Sequence, residues 1–214
     1  EMQSDTIAAI STGMTNAGIG KIRLSGDDAV AIADRIYRSP GGRKKLSEVL
    51  THTIHYGYIY DGDCMIDEVL VLIMRGPNSY TREDVVEIDC HGGVVVMQRL
   101  LETVLKYGAR LAERGEFSKR AFLNGRIDLS QAEAISDIIT AKNSYASSLA
   151  LKGIQGSISH FIKDLKEDLI QIITQIEVNI DYPEYEDVEE LTADKLLPMS
   201  TSLIEKMNKI IEDS

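Results

Sequence analysis

Apolar residues along this chain change rhythm once. Up to about residue 110 they come in short bursts with strand spacing; beyond about residue 128 they recur at helical spacing to the end. In the first half, residues 6–11 and 19–24 read as strands, the second alternating Ile19, Lys21 and Arg23 against Gly20, Ile22 and Leu24. The TGMTNAG between them is a turn cluster. Ser25, Asp27 and Asp28 then offer a cap and first-turn acids to a helix carrying Ala29, Ile32, Ala33 and Ile36 on one side. SPGGRKK ends that helix; nothing strand-like precedes it and no GK[ST] follows, so it reads as a surface loop. Strands are expected at 53–60 and 65–74, joined through the hairpin signal Asp61-Gly62. RGPNSYTRED is a loop. Residues 85–90 then place Val85, Glu87 and Asp89 on one face of a strand and Val86, Ile88 and Cys90 on the other. His91-Gly92-Gly93 leads into a helix over about 94–107, with Gly108 at its C-terminal cap.

The second half is helical throughout. Asp128 and Gln131 resemble a capping box ahead of Leu129, Ala132, Ile135 and Ile139. An amphipathic stripe follows from Ile158 to Ile180, then the acidic loop DYPEYEDVEE, then a third stripe from Leu196 to Ile211. Pro198 should kink that last segment or mark where its regular helix begins. Three such stripes ask for more apolar partners than they can give one another, so the helical part should be incomplete and expose apolar surface. The pattern predicts an α+β domain over residues 1–118 and the first part of an α-helical domain over 119–214. Between them, residues 110–141 form a polar junction rich in glycine and basic residues, a place where ligand sites are often built.

Composition narrows the class. With 214 residues, 43% hydrophobic and 27% charged, the chain is globular, and no apolar run is long enough to span a bilayer. Its start lacks the basic and apolar regions of a signal peptide, and two isolated cysteines make no disulfide framework, which together point to the cytoplasm. The net charge of −11 argues against a general nucleic-acid binder. It is uneven, however: residues 181–214 hold ten acids and three bases and so supply −7 of it. Between Arg110 and Arg126 five bases, Arg110, Arg114, Lys119, Arg120 and Arg126, stand against only Glu113 and Glu116, the one place that should draw an anion.

Most polar candidates have a structural explanation. His91 suits a strand–helix corner, and Cys90 alternates with Ile88 into an apolar face with no activating base in evidence. His52 and His55 point to opposite faces of one strand and cannot chelate together. The PEYEDVEE carboxylates read as a solvated loop or, at most, a cation site. Glu87 and Arg23 differ. Each sits inside an apolar strand, where a charge is costly unless paired, so either they bridge one another or they meet a polar ligand. A carboxylate can accept two parallel hydrogen bonds from an amino-pyrimidine edge, and arginine can fork onto an oxyanion.

Three ordered motifs, GKIRLSG, GPNSYTREDVVEIDCHGG and RGEFSKRAFLNGRIDLSQAEAISDIITA, resemble the N-terminal region of the MnmE (TrmE) family of bacterial and organellar tRNA-modification GTPases. The resemblance covers essentially the whole chain. It implies a folate-binding, dimerising domain similar in fold to the tetrahydrofolate-binding domain of aminomethyltransferases. A helical domain interrupted by a GTPase insert follows it. The implied ligand is 5-formyl- or 5,10-methylene-tetrahydrofolate, and the family's folate contacts fall on Arg23, Glu87 and Arg126. GTP, magnesium and potassium would belong to the full-length protein only, since no G-x-x-x-x-G-K-[ST] loop occurs here. The implied partners are a second copy, the flavoprotein MnmG (GidA) and tRNA as substrate, the product being a modified C5 of the wobble uridine. Two other readings are a stand-alone folate-dependent aminomethyltransferase and a non-catalytic dimerisation or tRNA-docking module. The first needs a larger catalytic domain than residues 1–118 supply.

Overall fold

A computed structural model describes residues 5–181 and 193–213 and divides into two compact units, residues 1–128 and 129–214. The first is built on a seven-stranded sheet. In chain order its elements are β1 (Ile7–Ile10), β2 (Ala17–Ser25), α1 (Ala29–Ile36), β3 (Tyr37–Arg38), β4 (Thr53–Asp61) and β5 (Cys64–Met74). After them come β6 (Val85–Gly92), α2 (Val94–Lys106), β7 (Arg110–Leu111) and α3 (Glu116–Leu123). The sheet order is β3-β4-β5-β6-β2-β1-β7, antiparallel except for the β1–β7 pair.

Period-two alternation decides the two faces of this sheet. Ala8, Ile22, Leu24, Ile59, Val71, Ile73, Val86 and Ile88 turn to one side and bury Ile32 and Ile36 of α1 with Met97, Leu100 and Val104 of α2. Cys90 lies in this core, as the alternation requires, and burial pushes its thiol pKa up to about 11. The opposite face carries cross-strand rows: Ile54, Leu72, Glu87 and Arg23 in one, Tyr56, Leu70, Asp89 and Lys21 in the next. Ile54 is 63% exposed there and Leu70 44%, so this face is open to solvent.

Four local expectations change. Ser25 does not cap α1; it is the buried last residue of β2, and its hydroxyl meets Thr81 and Glu83. The SPGGRKK loop does follow a strand, since Tyr37–Arg38 pairs along the edge at β4, a two-residue ladder too short to show as periodicity. The expected break between residues 118 and 119 falls inside the continuous helix α3. Arg120 of that helix bonds Asp5 and Glu83, which ties it to the first unit. Lastly, His52 lies outside β4, exposed at φ 59°, whereas His55 is buried on Thr53, so they share no site.

The second unit holds α4 (Leu129–Thr140), α5 (Ser144–Ile154), α6 (Ser157–Asp181) and α7 (Ala193–Asp213). Helix α5 was not expected: its Ser- and Ala-rich sequence carries little apolar stripe, yet the Asn143 side chain accepts from the Ala146 amide and caps it. Gln131 donates to the Ile154 carbonyl, closing α4 on the end of α5. Pro198 lies inside α7 rather than at its start. Ile162, Ile173 and Ile180 of α6 and Leu197, Ile204 and Met207 of α7 are exposed, as the surplus of stripes implies. Most of the acidic DYPEYEDVEE loop falls outside the described residues.

Candidate functional site

Arg23 and Glu87 are cross-strand partners in the centre of the sheet, on its open face. Arg23 directs both Nε (2.8 Å) and Nη2 (2.7 Å) to Glu87 Oε1, while Lys21 Nζ meets Oε2. The glutamate side chain is 11% exposed, against 27% for arginine and 25% for lysine, so the carboxylate lies deepest. Burial pushes its pKa up, but hydrogen bonds from Lys21 and Arg23 outweigh that and hold it below the ordinary range. Glu87 is therefore an ionised acceptor at neutral pH. Burial likewise disfavours the Lys21 ammonium, and its hydrogen bond to Glu87 with the attraction of Glu87 and Asp89 more than restores it. Lys21 Nζ also stands 3.1 Å from Asp89 Oδ1, an ion pair by distance but not aligned as a hydrogen bond. That buried oxygen thus retains unused acceptor capacity.

Arg126 reaches the same place from another direction. Helix α3 ends in a Schellman turn: Gly125 adopts φ 69° and the Arg126 amide donates back to the Ala121 carbonyl at 2.8 Å. Asn124 and the loop before β6 then lock together, with Asn124 Nδ2 on the Thr81 carbonyl (2.7 Å) and Arg82 Nη1 on the Asn124 carbonyl (3.1 Å). This sets Tyr80 between two guanidiniums, its ring centroid 5.5 Å from Arg23 and 5.3 Å from Arg126. Ser118 fixes the Tyr80 hydroxyl at 2.9 Å, and Phe117 covers Arg23 from α3 at 5.6 Å. The three residues singled out in the sequence are thus brought together, two by direct contact and the third across a shared tyrosine.

Lys21, Asp89, Tyr80 and Phe117 were missed. The first two had a signal, because they alternate onto the faces of Arg23 and Glu87. The aromatics had none, since only the α3–loop contact brings them in. Two of the junction's five basic residues are paired within the unit: Arg110 binds Asp5 and Glu116, and Arg120 binds Asp5, Glu83 and Glu116, so they tie the fold together rather than face a ligand. His91 is exposed on Asp67, whose hydrogen bond holds its pKa up. Among the described residues no cluster of His, Cys, Asp and Glu could hold a metal, and no helix is long and apolar enough to cross a membrane.

Two family models match the chain in succession: "GTP-binding protein TrmE N-terminus" over residues 6–126 and "MnmE helical domain" over 129–214. A tRNA modification GTPase MnmE from Lysinibacillus sphaericus is 54% identical over 215 residues, covering all of this chain and 46% of its own. Proteins of the same name from Enterococcus faecalis and Staphylococcus epidermidis are 57% and 51% identical over 92% and 99% of this chain. The chain spans less than half the length of these relatives. The model boundaries fall where the fold divides, after the strand–helix unit and before α4, and the chain therefore belongs to the TrmE/MnmE family, of which it carries the N-terminal and helical regions.

Proposed function

We propose that the first unit binds a reduced folate, 5-formyl- or 5,10-methylene-tetrahydrofolate, at Glu87, Arg23 and Arg126. In this reading the chain is the folate-binding, dimerising portion of a cytoplasmic GTPase. With a flavoprotein partner of the MnmG (GidA) kind, that enzyme modifies C5 of the wobble uridine of certain tRNAs. The observation that carries the folate reading is the ionised Glu87 carboxylate on an open sheet face, flanked by two arginines sharing one tyrosine.

The residues fit the group. A pterin-like edge presents adjacent N–H donors, which a carboxylate accepts in parallel. Glu87 is already shared by Arg23 and Lys21, so binding requires one oxygen to be released. Lys21 can yield Oε2 because the unused acceptor of Asp89 lies beside it. Arg126 and Arg23 supply positive charge for the carboxylate tail, and Tyr80 and Phe117 supply flat apolar walls. The folate's chemistry would be to deliver a one-carbon unit; this chain's part is to bind and orient it. Self-association would cover the exposed Ile54 and Leu70 beside the site. Later helices of a longer chain would cover α6 and α7, and GTP, magnesium and potassium would bind outside the 214 residues, which contain no phosphate loop.

Calorimetric titration of 5-formyltetrahydrofolate tests the site. Glu87→Gln, Arg23→Ala and Arg126→Ala, each checked for fold by circular dichroism, should weaken binding by about 30-fold or more, the loss expected when one charged partner is removed from a half-buried pair. Unchanged affinity in all three folded variants would remove these residues from the site.

A further inference from the structure

A separate cavity lies at the β3 edge of the sheet. The cavity, of about 520 Å³, is lined by Arg38 of β3, Lys44 and Lys45 of the following loop, and Tyr58 and Tyr60 of β4, with Asp34 of α1 at its wall. Its β4 and β3 walls stand three and four strands from Arg23 in the sheet order, about 14 and 19 Å at ~4.8 Å per strand. In a chain of net charge −11, residues 38–45 hold Arg38, Arg43, Lys44 and Lys45 and no acid. The nearby acid is already committed: Asp34 accepts from the Leu46 amide and from the Ser47 hydroxyl at 2.8 Å, which pins the end of the loop. Within the loop the Lys44 amide donates to Ser39 Oγ at 3.2 Å and the Gly42 amide to the Ser39 carbonyl at 2.9 Å, so the cations are presented from a structured turn.

The cations differ in their freedom. Arg38 is the most committed: it stacks on Tyr60 at 4.0 Å, donates to the Gly62 carbonyl at 2.7 Å and stands 3.8 Å from the exposed Asp63 carboxylate, which fixes its plane against the ring. Lys44 stands 3.4 Å from a ring nitrogen of His55. Arg43 and Lys45 make no side-chain hydrogen bond or ion pair among the described residues and are exposed. Charge alone would serve any polyanion. The tyrosines narrow the class, because aromatic rings beside arginine on a sheet are stacking platforms for unpaired bases. The cavity lies within the 300–1,000 Å³ usual for small-ligand pockets, the size of a single nucleotide rather than of a long backbone track.

We propose that this pocket takes a nucleotide of single-stranded RNA, the base against Tyr58 and Tyr60 and the flanking phosphates on Arg38, Arg43, Lys44 and Lys45. It shares with the proposed function only the choice of RNA as ligand and needs no folate at Glu87.

The test is fluorescence anisotropy of a short fluorescein-labelled oligouridylate against the 214-residue chain at about 50 mM salt, repeated at rising salt. Binding should be saturable, with log affinity falling against log salt at a slope of roughly −2 to −3, since each single-strand phosphate contact contributes about −0.7. Lys44→Glu/Lys45→Glu, on the exposed loop and checked for fold by circular dichroism, should weaken binding at least tenfold. Tyr58→Leu and Tyr60→Leu should each weaken it about fivefold or more, the lower end of one base–aromatic stack. Absence of RNA binding, or wild-type affinity in the lysine double variant, overturns the site. Wild-type affinity in both tyrosine variants, with heparin competing as well as RNA, overturns the base-stacking reading. Displacement by micromolar uridine monophosphate overturns the polymer in favour of a free nucleotide. The lysine double variant should bind 5-formyltetrahydrofolate as wild type does, and wild type failing to bind folate while binding RNA as described would sink the folate reading alone.

Discussion

Arg23 and Glu87 sit opposite one another across the β2–β6 ladder, with two guanidinium nitrogens on one carboxylate oxygen at 2.7 and 2.8 Å. Lys21 holds the other oxygen, so the glutamate is both a structural tie and the acceptor proposed to meet a ligand. This dual role separates stability from binding. Glu87→Gln should cost about 1–3 kcal/mol in urea unfolding, because two cations lose a half-buried partner. Saturating 5-formyltetrahydrofolate should stabilise wild type and leave the variant unmoved. Equal stabilisation of both would place the ligand elsewhere.

Gly125 should be intolerant for a local reason. Its φ of 69° costs a non-glycine residue roughly 1 kcal/mol, although a Cβ would meet nothing closer than Arg82 at 3.7 Å. Gly125→Ala should therefore lower stability by about that amount and, by loosening Arg126, weaken folate at least severalfold. Full retention of both properties would show that the Schellman turn does not set the arginine.

Acid should unfold the first unit partly through Glu116. The hydrogen bond from Arg110 pulls its carboxyl down to about 2 from an ordinary 4.5. The folded value lies below the unfolded one, so its contribution is complete above pH 4.5 and is lost as pH falls toward about 2. The stability gap between wild type and Glu116→Gln should close across that window. A gap independent of pH there would mean the carboxylate is not held by this network.

The two cysteines should react differently. Cys90 is buried with its pKa near 11, whereas Cys64 is exposed. A disulfide reagent at mildly alkaline pH should label one thiol in the folded chain and two in denaturant. Two fast equivalents in the folded state would contradict the packing of β6.

Much of this protein follows from its sequence because alternation and helical spacing are local properties. The strand at Glu87, the anomalous Arg23, α2 with its glycine stop, and α6 were legible for that reason, and so was the family, through ordered motifs. What the sequence could not show depends on contacts between distant segments. The two-residue strand β3 has no period of its own and exists only by pairing with β4, which turned an apparent surface loop into one wall of a cavity. Helix α3 belongs with the sheet because Arg120 finds Asp5 and Glu83, partners that spacing alone does not identify. Such meetings also pair two of the junction's five bases, Arg110 and Arg120, and bring Tyr80 between Arg23 and Arg126. Residue type and period determined which side chains would be anomalous; only the tertiary structure decided which were paired, which stayed open, and which aromatic lay between them.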